Sequence, residues 1–402
     1  LCMDKQLFVT TIPHFSETNL NSFCWFLEYG LSDELRNFAS ALNLNEKLNI
    51  RVYSEEFVLK RPKYSSVQCK RYDLTYAIRI YVPIELIEEG TVNEYLAFFG
   101  EIPLMTEEGT FIINGCERVI INQIIRSPGI YYRRETQEKT LQYSATLISD
   151  RGSWLKFEFE TGTVQIRLNK ATTVDFYHLL ETCGITNFDP STKFNLAILN
   201  KSIQQTPISD FDTNLLTKNL TNNQNINFDS NKGSQDNYLQ IFNEKVYSLG
   251  KIGRKKLNSR LGLSIPDSIT RVTIDDVIAI SNYLVDLHAN LGELDDIDNL
   301  RNRRVRSIGE LLQIQYGIGL SRLERSINER LMITNSTAFK VATIINPKPI
   351  IASIKEFFGS SQLSQFMDQT NPIASLTHKR RISSLGPGGL NRDRLSLAVR
   401  DI

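Results

Sequence analysis

The apolar residues of this 402-residue chain change period twice, and that alternation sets most of what the chain can fold into. Leu20, Phe23, Phe26 and Leu27 recur at the spacing of one helical face, and a second helix is expected over residues 32–42. The period then drops to two. Ile78, Ile80 and Val82 alternate with Arg79 and Tyr81, the pattern of a half-buried strand. Residues 111–113, then Asn114-Gly115, then 119–121 spell a hairpin, because Asn-Gly supplies the two left-handed positions of a tight turn. A second hairpin is spelled by 154–160, Thr161-Gly162 and the alternation Val164, Ile166, Leu168. Helical spacing returns over residues 273–287. Ser307-Ile308-Gly309-Glu310 then has the form of a capping box, in which the serine accepts from the first turn and the glutamate reaches back. A long amphipathic helix is expected to follow, through Leu311, Leu312, Ile314, Ile318, Leu323 and Ile327 to about residue 331. Such a chain is α+β and too long for one core, which implies two or three domains at ~150 residues each. The second hairpin is expected to open a new domain, with the boundary in the charged, aperiodic stretch 133–139. Residues 200–236, rich in Asn, Gln, Ser, Thr and Asp, read as a surface insertion with too little apolar area to offset its ordering entropy.

Composition narrows the function. Hydrophobic residues make up 41% and charged residues 23%, the balance of a globular chain. The net charge is +1, so contact with a polyanion has to come from local basic patches. Cys2, Cys24, Cys69, Cys116 and Cys183 form no Cys-x-x-Cys pair, which argues against a zinc site or a secreted disulfide scaffold and for reduced thiols inside a cell. No apolar run approaches the ~20 residues of a bilayer span, and residues 1–10 are neither an h-region nor an Arg/Ser-rich transit peptide. Leu1 stands where a start would carry Met, which leaves room for sequence upstream.

The stretch with the most chemistry lies near the end. Between His378 and Arg394 there are five Lys/Arg against one Asp, around Gly386-Pro387-Gly388-Gly389, where a backbone lacking side chains allows close approach. Guanidinium groups pair with phosphate oxygens through two parallel bonds, and Gln365, Ser383 and Asn391 could add neutral contacts to a nucleic-acid backbone. Two readings stand: a solvated basic face, or a loop lining a channel for a polyanion. No Gly-Lys-Ser/Thr ending makes the glycines a nucleotide P-loop, and no nucleophile elbow or metal cluster supports a hydrolase. Lys251, Arg254, Lys255 and Lys256 read as a solvated patch, with weak DNA steering as the alternative. Arg301, Arg303, Arg304 and Arg306 follow Glu293, Asp295, Asp296 and Asp298, which suits an internal ion-pair cluster.

Residues 357–368 and 377–390 closely resemble the rifamycin-resistance region of the bacterial-type RNA polymerase β subunit. Residues 100–106, 109–115, 117–123 and 126–132 resemble that family's early signature, and 151–155, 295–298 and 302–307 extend the likeness over most of the chain, with 170–270 the weakest part. The resemblance implies a protrusion domain (1–135), a lobe domain (136–300, with the polar insertion) and a return to the protrusion that runs into the hybrid-binding segment (301–402). It places Gln365, Phe366, Asp368, His378, Arg381, Ser383, Leu385 and Arg392 at rifamycin-pocket positions. It makes Gln365, Arg381, Arg392 and Arg394 the contacts to transcript or hybrid. Phe366 and Leu385 also suit plain core packing, and His378 a structural hydrogen bond. Arg151, Arg303, Arg304 and Arg306 become candidates for the DNA cleft.

Polymerisation needs Mg2+ on clustered aspartates. No Asp-x-Asp-Gly-Asp run exists here. The resemblance therefore implies no catalytic residue and no cofactor in this chain, with Mg2+ on a β′ subunit. It implies the remaining β sequence, β′, α and sigma-type subunits, template DNA and nascent RNA as partners, and no membrane. The family continues past Ile402, so the chain is expected to be a truncated piece or one product of a split gene. Asn- and Ile-rich variable segments suggest an AT-rich genome and a plastid setting, with the bacterial cytoplasm as the alternative. The alternative function is a stand-alone β-derived nucleic-acid-binding protein without polymerase activity.

Overall fold

The computed structural model describes residues 15–42, 50–88, 91–137, 140–160, 163–167, 173–176, 179–180, 242, 247–333 and 345–389. The chain divides into two compact units, one of Leu1–Ile125 with Val305–Ile402 and one of Arg126–Arg304. The expected insertion at 200–236 lies outside the described residues, as do Leu168, Asn391, Arg392 and Arg394.

The first unit opens with α1 (Glu17–Trp25), a five-residue π turn (Phe26–Gly30) and α2 (Leu31–Leu42). Phe23 and Phe26 are buried, with Leu20 and Leu27 packed against the same core, as their spacing requires. Leu31, Leu35, Phe38 and Leu42 give α2 its buried stripe. Next come β1 (Ile50–Val52), β2 (Val58–Lys60) and α3 (Ser66–Arg71), whose N-terminus carries a capping box from Ser65 and Gln68. Two long antiparallel strands follow, β3 (Ala77–Glu88) and β4 (Thr91–Pro103). Their register shifts between Ile80 and Tyr81, opposite Gly100 at φ 121°. β5 (Phe111–Ile113) and β6 (Cys116–Ile120) form the expected hairpin, with Asn114 at φ 47° and Gly115 at φ 77°. β7 (Asn122–Arg126) ends this half of the unit.

The second unit is a meander of β8 (Gly129–Gln137), β9 (Thr140–Ile148), β10 (Leu155–Glu160), β11 (Thr163–Arg167) and β12 (Thr173–Asp175), antiparallel at every step. Its core joins Tyr132, Ala145, Leu147, Phe157 and Ile166 to Leu257 of α4 (Gly250–Leu261) and to Ile280 and Leu284 of α5 (Ile274–His288). Two sequence expectations change here. The unit begins at Arg126, because residues 133–137 continue β8; the second hairpin, β10–β11, therefore extends a sheet that has already begun. Arg254 is also not solvated. It is fully buried and paired at 2.6 Å with the equally buried Asp276, whose carboxylate caps α5 together with Thr273. An exposed charge and a paired buried one leave the same mark in sequence.

After β13 (Arg303–Arg306) the first unit resumes with α6 (Ile308–Ile333) and α7 (Lys348–Ser360). Ile308, Leu311, Leu312, Leu320, Leu323 and Ile327 of α6 are buried, whereas Ile314 and Ile318 are exposed, because they project about half a turn away from that stripe. The Gly309 amide in the first turn of α6 donates to Ser22 Oγ of α1 at 2.8 Å. β14 (Ser364–Phe366), α8 (Pro372–Lys379) and β15 (Ile382–Ser383) complete the described chain.

Candidate nucleic-acid interface

The glycine- and arginine-bearing segment does not stand as a free loop. β14 pairs antiparallel with β6, setting Ser364, Gln365 and Phe366 opposite Ile120, Val119 and Arg118. β15 pairs in parallel with β7, setting Ile382 and Ser383 opposite Asn122 and Gln123. Segments some 240–260 residues apart in sequence thus share ladders, and buried Phe357 and Phe358 anchor the end of α7 in the core just before them.

Side chains of the early strands reinforce the ladders. Arg118 Nη1 donates to the Phe358 carbonyl at 2.7 Å, and its guanidinium lies 4.2 Å from the centre of the Phe366 ring. Phe366 is 62% exposed, so it is a surface aromatic under a cation and not core packing. Glu117 accepts from Thr110 Oγ1 at 2.8 Å and Gln369 Nε2 at 2.7 Å and pairs with Lys70 at 3.1 Å. Asn19 of α1 donates to the Lys379 carbonyl at 3.0 Å.

His378 is buried. Its Nδ1 accepts the Asp368 amide at 3.2 Å, which places the ring proton on Nε2, 3.1 Å from Gln365 Oε1. Burial, then the Arg381 charge, pushes its pKa down against the weaker pull of Asp368. The structural hydrogen-bonding role expected as one alternative for His378 is therefore present. Asp368 is exposed; the hydroxyl and amide of Thr370 hold its carboxyl below the usual range. Asn371 caps α8 through the Ala374 amide at 2.6 Å. Gln365, Ser383 and Leu385 are half-buried, and Arg380, Arg381 and Ile382 are exposed. The turn that follows needs its glycines: Gly386 has φ 105°, Gly388 has φ 74°, and the Gly389 amide closes on the Gly386 carbonyl at 3.0 Å. Of the expected site residues, Gln365, Asp368, His378 and Arg381 are thus brought together, while Arg392 and Arg394 lie outside the described residues.

The arginines expected near a DNA cleft are mostly held by carboxylates. Within the second unit Asp298 takes Arg126 and Arg303 at 3.3 Å each and Arg133 at 3.8 Å, and Arg304 meets Asp150 at 3.2 Å. Burial raises the Asp298 pKa, but Arg126, Arg303 and Arg133 outweigh it and hold the carboxyl low. Three guanidinium groups on one carboxylate leave a net positive cluster, and Arg126 lies 5.5 Å from the centre of the Trp154 ring, which is 47% exposed. Arg151 is exposed. In the first unit Arg306 meets Glu310 at 3.4 Å. Among the described residues no group of three or more His, Cys, Asp or Glu is placed to hold a metal ion, and no helix is long and apolar enough to cross a membrane.

The exposed end of this arrangement is marked in the local sequence, whereas its supports are not. Arg118, Glu117 and Gln123 stand inside the early signature, but nothing local shows that their partners lie some 240–265 residues onward.

Comparison with known proteins bears on the same stretches. Residues 126–306 match the family model RNA polymerase Rpb2, domain 2, nearly the span of the second unit, and residues 365–402 match RNA polymerase Rpb2, domain 3. The DNA-directed RNA polymerase subunit beta of Rhodomonas salina is 47% identical over 99% of this chain and 37% of its own length. That of Guillardia theta is 47% identical over 98% of this chain and 36% of its own. That of Synechococcus elongatus is 46% identical over 97% of this chain and 36% of its own. The chain thus spans little more than a third of the length of these relatives.

Proposed function

Since the chain belongs to the β-subunit family of DNA-directed RNA polymerases, we propose that it forms one jaw of the enzyme's DNA cleft and lines the RNA–DNA hybrid beside the active centre. The observation that carries this is Arg381, exposed at the end of a segment that two ladders and the Arg118 and Gln123 side chains fix to the early strands. Phosphoryl transfer asks protein mainly for positioning and charge neutralisation, and a pre-ordered guanidinium supplies both. Gln365, Arg381, Arg392 and Arg394 serve transcript and hybrid, within a surface that has the rifamycin-pocket residues Phe366, Asp368, His378, Ser383 and Leu385. The Arg126–Arg304 unit is the lobe, its net positive Asp298 cluster and Arg151 facing DNA, and the other unit is the protrusion.

The chain's part is non-catalytic. On this reading Mg2+ sits on a β′ partner, and α and sigma-type subunits and the remaining β sequence complete the enzyme. A plastid is the proposed setting, with the bacterial cytoplasm as the alternative; relatives at 47% and 46% identity fit either one.

Arg381→Ala in the assembled enzyme removes a charge-assisted contact worth ~1.5–3 kcal/mol, so release of short transcripts should rise roughly tenfold or more. Transcript-length distributions measure this, and a distribution like that of the unsubstituted enzyme would count against the proposal. The stand-alone alternative requires this chain to bind DNA or RNA as a monodisperse species without other subunits.

A further inference from the structure

Gln123 is fully buried, yet it is not spent on its own strand. Its Nε2 donates to the Leu385 carbonyl at 3.1 Å and to the Pro387 carbonyl at 2.9 Å, on either side of Gly386. Both partners are acceptors only, so the amide nitrogen must face the loop, and that fixes the side chain's orientation. Its Oε1 is buried with no partner, a cost of the kind that persists where a geometry is being enforced. The glycines are shaped to this contact. A Cβ on Gly389 would stand 2.8 Å from Gln123 Nε2, and one on Gly386 would stand 3.3 Å from it. The adjoining backbone is paired as well, Gln123 lying opposite Ser383 in the parallel ladder. Together with the ladder, this side chain therefore fixes the path of the chain from Ser383 to Gly389, two residues after Arg381.

We infer that Gln123 is a positioning residue for transcript retention, acting through the Gly386–Gly389 turn to hold Arg381 and its neighbours in their binding geometry. The inference rests on the function proposed above and adds a residue that touches no nucleic acid itself. Gln123→Met keeps the length and bulk of the side chain and removes both donors.

The test uses the assembled polymerase containing this chain, and the readout is the ratio of released short transcripts to extended ones. Gln123→Met, Arg381→Ala and the double variant are compared with the unsubstituted enzyme. Loss of two hydrogen bonds that order the loop should raise the ratio about tenfold in Gln123→Met. The double variant should be within about twofold of Arg381→Ala, because both changes act on one contact. A merely structural role would instead multiply the two effects, and that result overturns the inference, as does a Gln123→Met enzyme with an unchanged ratio. If Arg381→Ala has no effect, the proposed function itself fails, and this outcome is distinct from the other two. Should Gln123→Met prevent assembly, Gly389→Ala approaches the same contact from the exposed loop, where its Cβ would meet Gln123 Nε2 and, at 2.5 Å, the Ser384 carbonyl. The same rise is expected there, and an unchanged ratio would refute the inference.

Discussion

Asp276→Ala should destabilise the Arg126–Arg304 unit by ~3–5 kcal/mol, a large share of the ~5–15 kcal/mol that holds a typical domain together. The reason lies in what the substitution leaves behind. Arg254 and Asp276 are both inaccessible to water and meet at 2.6 Å. The guanidinium also donates to the carbonyls of Ile269, at 2.8 Å, and Arg271. The carboxylate accepts from the amide and hydroxyl of Thr273 at 2.7 and 2.8 Å, which closes the first turn of α5. Without Asp276 a cation is stranded in the core and the helix loses its cap. Removing both charges together, as Arg254→Met with Asp276→Leu, should cost less than the single change because no charge is stranded, the remaining cost coming from the lost cap at Thr273 and the unpaired Ile269 and Arg271 carbonyls. The chain has two tryptophans, Trp25 in the first unit and Trp154 in the second. Urea unfolding of the full chain in a Trp25→Phe background, followed by Trp154 fluorescence, therefore reports on this unit. A single substitution that moves its transition by less than about 1 kcal/mol, well under the cost of stranding a charge, would refute the account.

The second large effect is expected at Gly309. A Cβ there would overlap the carbonyl oxygen of Ser22 and lie 2.9 Å from the carbonyl carbon, both backbone atoms of α1. Backbone cannot swing aside as a side chain can, so Gly309→Ala must push α6 away from α1. That disturbs the hydrogen bond from the Gly309 amide to Ser22 and the packing of Phe23 and Ile308 nearby. The cost should reach the upper end of the ~1–3 kcal/mol usual for overpacking. Gly359→Ala is the contrast, since nothing lies within 4 Å of its Cβ. Near the end of α7 it should be neutral or stabilising by up to ~1 kcal/mol through helix propensity. Trp25, at the end of α1, reports both in a Trp154→Phe background. Equal transitions for the two variants would show that the α1–α6 contact does not have the tightness described.

Local patterns in the sequence were sufficient wherever the structure is local. Asn114-Gly115 announces its turn, α2 follows its apolar spacing, and the β10–β11 hairpin lies where the alternation sets it. What failed depends on partners distant in sequence. The charged stretch after Arg133 looks like a linker, yet β9 pairs with it and makes it strand. Arg254 looks like one of four solvated cations until Asp276 and the Ile269 and Arg271 carbonyls surround it. Ile314 and Ile318 look like core because they are apolar, but the stripe is set by what α6 packs on, and they fall outside it. At the candidate interface the exposed chemistry was legible in Arg381 and the glycines. Its rigidity was not, because β14 and β15 are short strands that exist only by pairing with β6 and β7.

The direct measurement of the central claim is a photocrosslink. A photoreactive residue in place of Ile382, which is 52% exposed beside Arg381, would be placed in the assembled polymerase stalled on a template with radiolabelled RNA. Transfer of label from the nascent transcript within the hybrid to this chain is the expected result. Crosslinks to protein alone, with no labelled RNA attached, would contradict the placement of residues 364–389 against the growing transcript.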